Sequence, residues 1–147
     1  MKGFSLTELI VVIIILSIVT VIGLPNFLSF NSQSKISALS QIKANAYNVL
    51  ADTNTKSILR KIETDCFAYI DDIYVCRGYP TAHSDNVIRA FSVDDERLYV
   101  TNRGNNNQGR EAFIGYTRDD VWYSDCYIRY KDAVSGAFQL QIVTDGC

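Results

Sequence analysis

The chain has 147 residues, a formal net charge of −2, 48% hydrophobic and 20% charged residues, enough for one compact domain plus an anchor. That balance excludes a basic nucleic-acid-binding surface, since Lys and Arg are scattered and offset by acids. Recognisable enzyme signatures are also missing: there is no GxSxG, P-loop, HExxH or GxGxxG, so neither an enzyme nor a cofactor is expected.

The first element is apolar. Residues 9–24 are almost all branched aliphatic, interrupted only by Ser17, Thr20 and Gly23. As a helix, residues 4–24 would span about 31 Å at 1.5 Å per residue, against a hydrocarbon core of about 30 Å. Lipid forces such a segment to satisfy its own backbone, hence a helix. A signal peptide has a shorter apolar region and a small-residue cleavage site; this run is longer and passes into an amphipathic helix without an A-x-A site, so retention is expected. Glu8 stands in the first turn, where a carboxylate near lipid needs a partner. A cut between Gly3 and Phe4 would create that partner, the ammonium of Phe4 in a neighbouring copy. Snorkelling of Glu8 into headgroups is the plain alternative. Pro25 ends the run, at a point where it can kink or relax the helix.

Gly3-Phe4-Ser5-Leu6-Thr7-Glu8-Leu9, the aliphatic run and Gly23-Leu24-Pro25 together resemble the type IV pilin signature. That resemblance covers about 25 residues. It implies cleavage after Gly3 by a prepilin peptidase, N-methylation of Phe4, a role for Glu8 in assembly, and Pro25 as the helix-bending proline. Most leaders in that family are longer than Met1-Lys2-Gly3; Lys2 supplies the positive cytoplasmic flank. Three regions are expected: a leader, 1–3; a transmembrane and assembly helix, 4–28; and a periplasmic, later extracellular, globular domain, 29–147.

Beyond Pro25, Ile36, Leu39, Ile42, Ala46, Val49 and Leu50 fall within an arc of about 140° at 100° per residue, an amphipathic helix able to lie on a sheet. The phase slips at Asp52-Thr53-Asn54, where the helix is expected to end or bend. Residues 66–76 read as a hairpin with its loop at Asp71, which sets Cys66 opposite Cys76. Gly78-Tyr79-Pro80 marks a turn, and Ser84 or Asp85 is placed to cap a short helix carrying Val87, Ile88 and Phe91. Four strands are expected over 97–102, 111–117, 126–131 and 138–144, with an open loop at 104–109. In the last two, Cys126, Ile128 and Tyr130, then Phe138, Leu140 and Ile142, alternate as in a half-buried antiparallel sheet. The fold class is therefore α+β, a long N-terminal helix packed on about four antiparallel strands, and this too resembles the pilin fold. CYIRYK…IVTDGC and Gly78-Tyr79-Pro80-Thr81-Ala82 most resemble pilins of the mannose-sensitive haemagglutinin type.

Four cysteines behind an export segment read as two periplasmic disulfides, among three possible connectivities. The hairpin brings Cys66 to Cys76; the resemblance implies Cys126 with Cys147, enclosing the region such subunits expose. Zinc is not expected, with no CxxC and His83 as the only histidine. Asp119-Asp120 with Asp125 is the acidic cluster nearest to a calcium site, although solvated turns carry such groups routinely. The nine tyrosines and Trp122 read as core and cross-strand packing, or as a sugar- or surface-binding patch.

The expected function is a structural subunit that polymerises with itself into an extracellular filament for surface adhesion. Its partners would be the prepilin peptidase, the pilus assembly machinery, the bacterial inner membrane before assembly, and a surface or glycan receptor. The rivals are a minor pilin or type II secretion pseudopilin, and a membrane-anchored periplasmic binding module that keeps Met1-Lys2-Gly3.

Overall fold

A computed structural model describes residues 5–147; within 19–30 it describes the helical backbone and not the side chains. The chain forms two compact units, Met1–Ser34 and Lys35–Cys147, and helix α1 (Leu6–Leu59) runs through the division. The class is α+β.

In the second unit the predicted stripe of α1 is the buried one: Leu39, Ala46 and Leu50 are at most 1% exposed. The helix does not stop near residue 53. Its next buried positions are Thr53 and Ser57, whose hydroxyls donate to the Val49 and Asn54 carbonyls at 2.7 and 2.6 Å. Small polar residues thus carry the stripe to its end, while Ile58 and Leu59 face solvent at 54% and 78% exposure.

The small residues make room for a turn. Strands β1 (Cys66–Ile70), β2 (Ile73–Cys76) and β3 (Tyr79–Pro80) form a three-stranded antiparallel sheet. Both hairpins turn through two residues with positive φ, Asp71-Asp72 and Arg77-Gly78, the twist that two-residue hairpins favour. A Cβ on Gly78 would meet the Ser57 hydroxyl at 2.5 Å, so glycine is needed there for space as well as for its φ of +79°. Tyr79-Pro80, expected as part of a turn, is an edge strand, a place where proline loses no ladder bond.

The second sheet has the order β4-β5-β6-β7, from β4 (Tyr99–Asn105), β5 (Gly109–Gly115), β6 (Tyr127–Lys131) and β7 (Gln139–Val143), all antiparallel. The expected strands are present, with a correction: β4 and β5 pair out to Asn105 and Gly109, which shortens the expected loop 104–109 to a tight turn. Ile128, Tyr130 and Leu140 enter a core that also holds Leu39, Ala46, Leu50, Val87, Phe91 and Ile114.

Helix α2 (Ser84–Phe91) has His83, not Ser84 or Asp85, at its N-cap, with no side-chain cap bond. Instead Asn86 fixes it. The Asn86 amide donates to the Tyr74 and Thr81 carbonyls and accepts from the Tyr74 amide at 2.8 to 3.0 Å. Helix α3 (Arg118–Trp122) was not anticipated; Thr117 and Asp120 build a reciprocal capping box around its first turn.

Two side chains at one end of β6 tie the sheets together. Tyr130 is fully buried and its hydroxyl donates to the Pro80 carbonyl at 2.6 Å. Burial, then the Asp132 carboxylate, pushes its phenol well above the ordinary value of 10.0. Asp132, two residues on and 1% exposed, accepts from the backbone amides of Ala82 and Arg110, each at 3.1 Å. The period-two repeat puts both groups on the same side of the chain, facing 80–82.

Candidate functional site: the apolar helix end and the disulfide-closed region

In the first unit, Leu6, residues 9–16 and Ile18 are each 45–76% exposed. Exposure runs round every side of the helix, so no single face would satisfy it; a helix apolar all round belongs inside another apolar phase. The hydroxyl of Ser17 donates to the Ile13 carbonyl at 2.7 Å, so this polar group makes no demand on the surroundings. Among the described residues no helix is long and apolar enough to cross a membrane. The span expected over 4–28 includes 19–28, whose side chains lie outside the described residues.

The start of α1 differs from expectation in its chemistry. The Ser5 amide donates to Glu8 Oε2 at 2.8 Å, and the Glu8 amide donates to Ser5 Oγ at 3.3 Å. Ser5-Leu6-Thr7-Glu8 is thus a capping box, a signal legible in the sequence and overlooked there. One Glu8 oxygen already has a partner in its own chain. Gly3 and Phe4 lie outside the described residues. The backbone of α1 is helical through Pro25.

In the second unit, disulfides join Cys66 to Cys76 and Cys126 to Cys147. The first spans the β1–β2 hairpin at a register pair. The second connects the residue before β6 to the last residue, their Cα atoms 4.8 Å apart, so it straps β7, the edge of its sheet, to β6. A Cβ on Gly146 would overlap the Ser124 carbonyl oxygen; only glycine lets the chain pass there. Next to this loop Tyr123 is 80% exposed, and Phe113 packs between Trp122 and Tyr127 with centroids 5.6 and 5.5 Å away.

The aromatic residues do not form one patch. Tyr130 and Phe91 meet in the core at 5.2 Å, and Tyr79 packs on Phe138 at 4.6 Å. Phe67, Tyr69 and Tyr74 line the β1–β2 hairpin, with Tyr69 and Tyr74 edge to face at 4.7 Å.

The acidic groups are engaged locally. Asp120 caps α3 through Thr117 and pairs with Lys35 Nζ at 3.0 Å, which leaves it unsuited to calcium. Among the described residues no cluster of three or more His, Cys, Asp or Glu is placed to hold a metal ion. Asp71 pairs with Lys56 at 2.9 Å and Arg60 at 2.8 Å; Lys56 first, then Arg60, holds its carboxyl below the usual range. The cluster is exposed, so it orients the hairpin tip more than it stabilises it.

Asp132, Asn86 and Arg110 carry no signal in the sequence, because their hydrogen bonds reach 12 to 50 residues along the chain. Compared with known proteins, the chain matches no family model, no curated protein and no solved structure.

Proposed function

We propose that the chain is a structural subunit of a type IV pilus-like filament, polymerising with itself through its N-terminal helix and serving surface attachment. The observation that carries this is the exposed apolar surface of 6–18, which begins within the Gly3-Phe4…Glu8 motif. Before assembly the bacterial inner membrane covers that surface; afterwards, equivalent helices of other copies do. A prepilin peptidase cuts after Gly3, Phe4 is methylated, and Pro25 with Gly23 gives the packed helix a soft point. The receptor side is the second unit, where the disulfides brace the exposed loops against extracellular conditions. A minor pilin or secretion pseudopilin would use the same helix and differ in abundance.

A reading of another class draws support from the Ser5–Glu8 cap: an uncleaved anchor of a periplasmic binding module, in which Glu8 only starts the helix. Two substitutions separate them. Glutamine retains the capping function and loses the charge. If Glu8 pairs with the ammonium of another copy, Glu8→Gln lowers filament yield about as far as Glu8→Ala does, at least tenfold by the loss of one buried ion pair. The melting temperature of the second unit stays unchanged in both. If the chain is an uncleaved anchor in which Glu8 serves only as a cap, no filament contains it before or after Glu8→Gln. Counting filaments per cell by electron microscopy reads the difference.

A further inference from the structure

We infer that a cleft of about 290 Å³ on the second unit, between the β1–β2 hairpin and the start of α2, binds a single carboxylate-bearing sugar. Its volume lies at the lower limit of small-ligand sites, room for one ring and not for a chain. One wall is aromatic: Tyr69 is 63% exposed and stands against Tyr74. A pyranose has an apolar C–H face and a rim of hydroxyls, the complement of a ring wall with polar edges. The cleft is also lined by Arg89, Arg110, His83 and Asp85, two guanidinium groups against one carboxylate.

Arg110 is the anchor. Its backbone is fixed twice to Asp132, donating to the carboxylate and accepting from the Asp132 amide, both at 3.1 Å. Its Nε is buried and has no hydrogen-bond partner among the described residues. A buried orphan donor is costly to a fold and calls for an explanation, which an acceptor entering the cleft would supply. Guanidinium donors match a carboxylate in two-pronged geometry. The first turn of α2 meets the same cleft through His83, Asp85 and Asn86; its Ser84 amide donates to Asn102 Oδ1 at 3.0 Å, and the helix dipole there favours an anion. Asn86 acts as a positioning residue, since its amide is spent on holding the Tyr74 backbone.

This deepens the attachment half of the proposed function and is independent of polymerisation. The test is titration of the full chain in detergent micelles with glucuronate, glucose and acetate, read by calorimetry. Glucuronate is expected to bind at least about tenfold tighter than either. Arg110→Met is expected to weaken glucuronate about tenfold or more while leaving the melting temperature unchanged or raised, because it removes an unsatisfied donor. Arg89→Met, on the exposed side of α2, is expected to weaken it as well. Glucuronate binding no tighter than glucose or acetate overturns the site. So does unchanged binding in Arg110→Met, or an Arg110→Met that unfolds while Arg89→Met binds normally. Filaments whose subunit ignores glucuronate would sink the cleft alone; a glucuronate-binding chain that never forms filaments would sink polymerisation alone.

Discussion

Asp132→Ala is expected to cost the second unit about 3–5 kcal/mol. The carboxylate accepts from the amides of Ala82, Arg110 and Val134, the last at 3.4 Å, and is 1% exposed. Alanine leaves those donors without acceptors inside the fold, and bonds to a charged acceptor are the stronger kind. The damage is not local, because Ala82 belongs to the segment after β3 and Arg110 to β5. Asp132→Asn keeps one acceptor oxygen and turns an amide towards a donor, so a smaller loss of about 1–2 kcal/mol is expected. Chemical denaturation of both variants checks the order. Equal losses for Ala and Asn would show that volume matters here and the paired acceptors do not.

Cys147→Ser is expected to remove about 3 kcal/mol, the chain-entropy value for a loop of this size. The bond closes a separation of 21 residues and restrains β7, which pairs only with β6. Without it the terminal residues fray first, as unfastened ends do, taking Leu140 and Ile142 away from the core. Under the proposed function, filament yield or adhesion falls while insertion of the N-terminal helix is unaffected. Hydrogen exchange should show β7 opening before β4 and β5. A mutant whose β7 amides remain as protected as those of β5 would contradict the strap.

Much of the second unit was legible because period-two and helical stripes carry it. Ile128 and Tyr130, like Leu39, Ala46 and Leu50, are apolar residues on a regular repeat, and all are buried. Legibility failed where polar residues do the packing. Thr53 and Ser57 bury themselves by returning their hydroxyls to the helix, so a helix that continues to Leu59 reads as ending where its apolar stripe stops. Strand β3 is two residues long and contains a proline, too short to show any period. Helix α3 hides within an acidic pair, with Thr117-x-x-Asp120 as its only cue. For the candidate sites, composition pointed to aromatic residues without their grouping. Only the fold separates the core rings Tyr130 and Phe91 from Tyr69 and Tyr74, which line one cleft with Arg110. At the N-terminus, a cap and an assembly carboxylate call for the same residue, Glu8, and sequence spacing cannot tell them apart.

Polymerisation through the N-terminal helix is tested most directly by shearing filaments from the native host and measuring the intact mass of their subunit. The account predicts that this chain is present, lacks Met1-Lys2-Gly3, and carries one methyl group on Phe4, in filaments whose central density is formed by residues 4–28. Filaments devoid of this chain, or a cell-bound protein that retains Met1 and is never recovered in a filament, would contradict it.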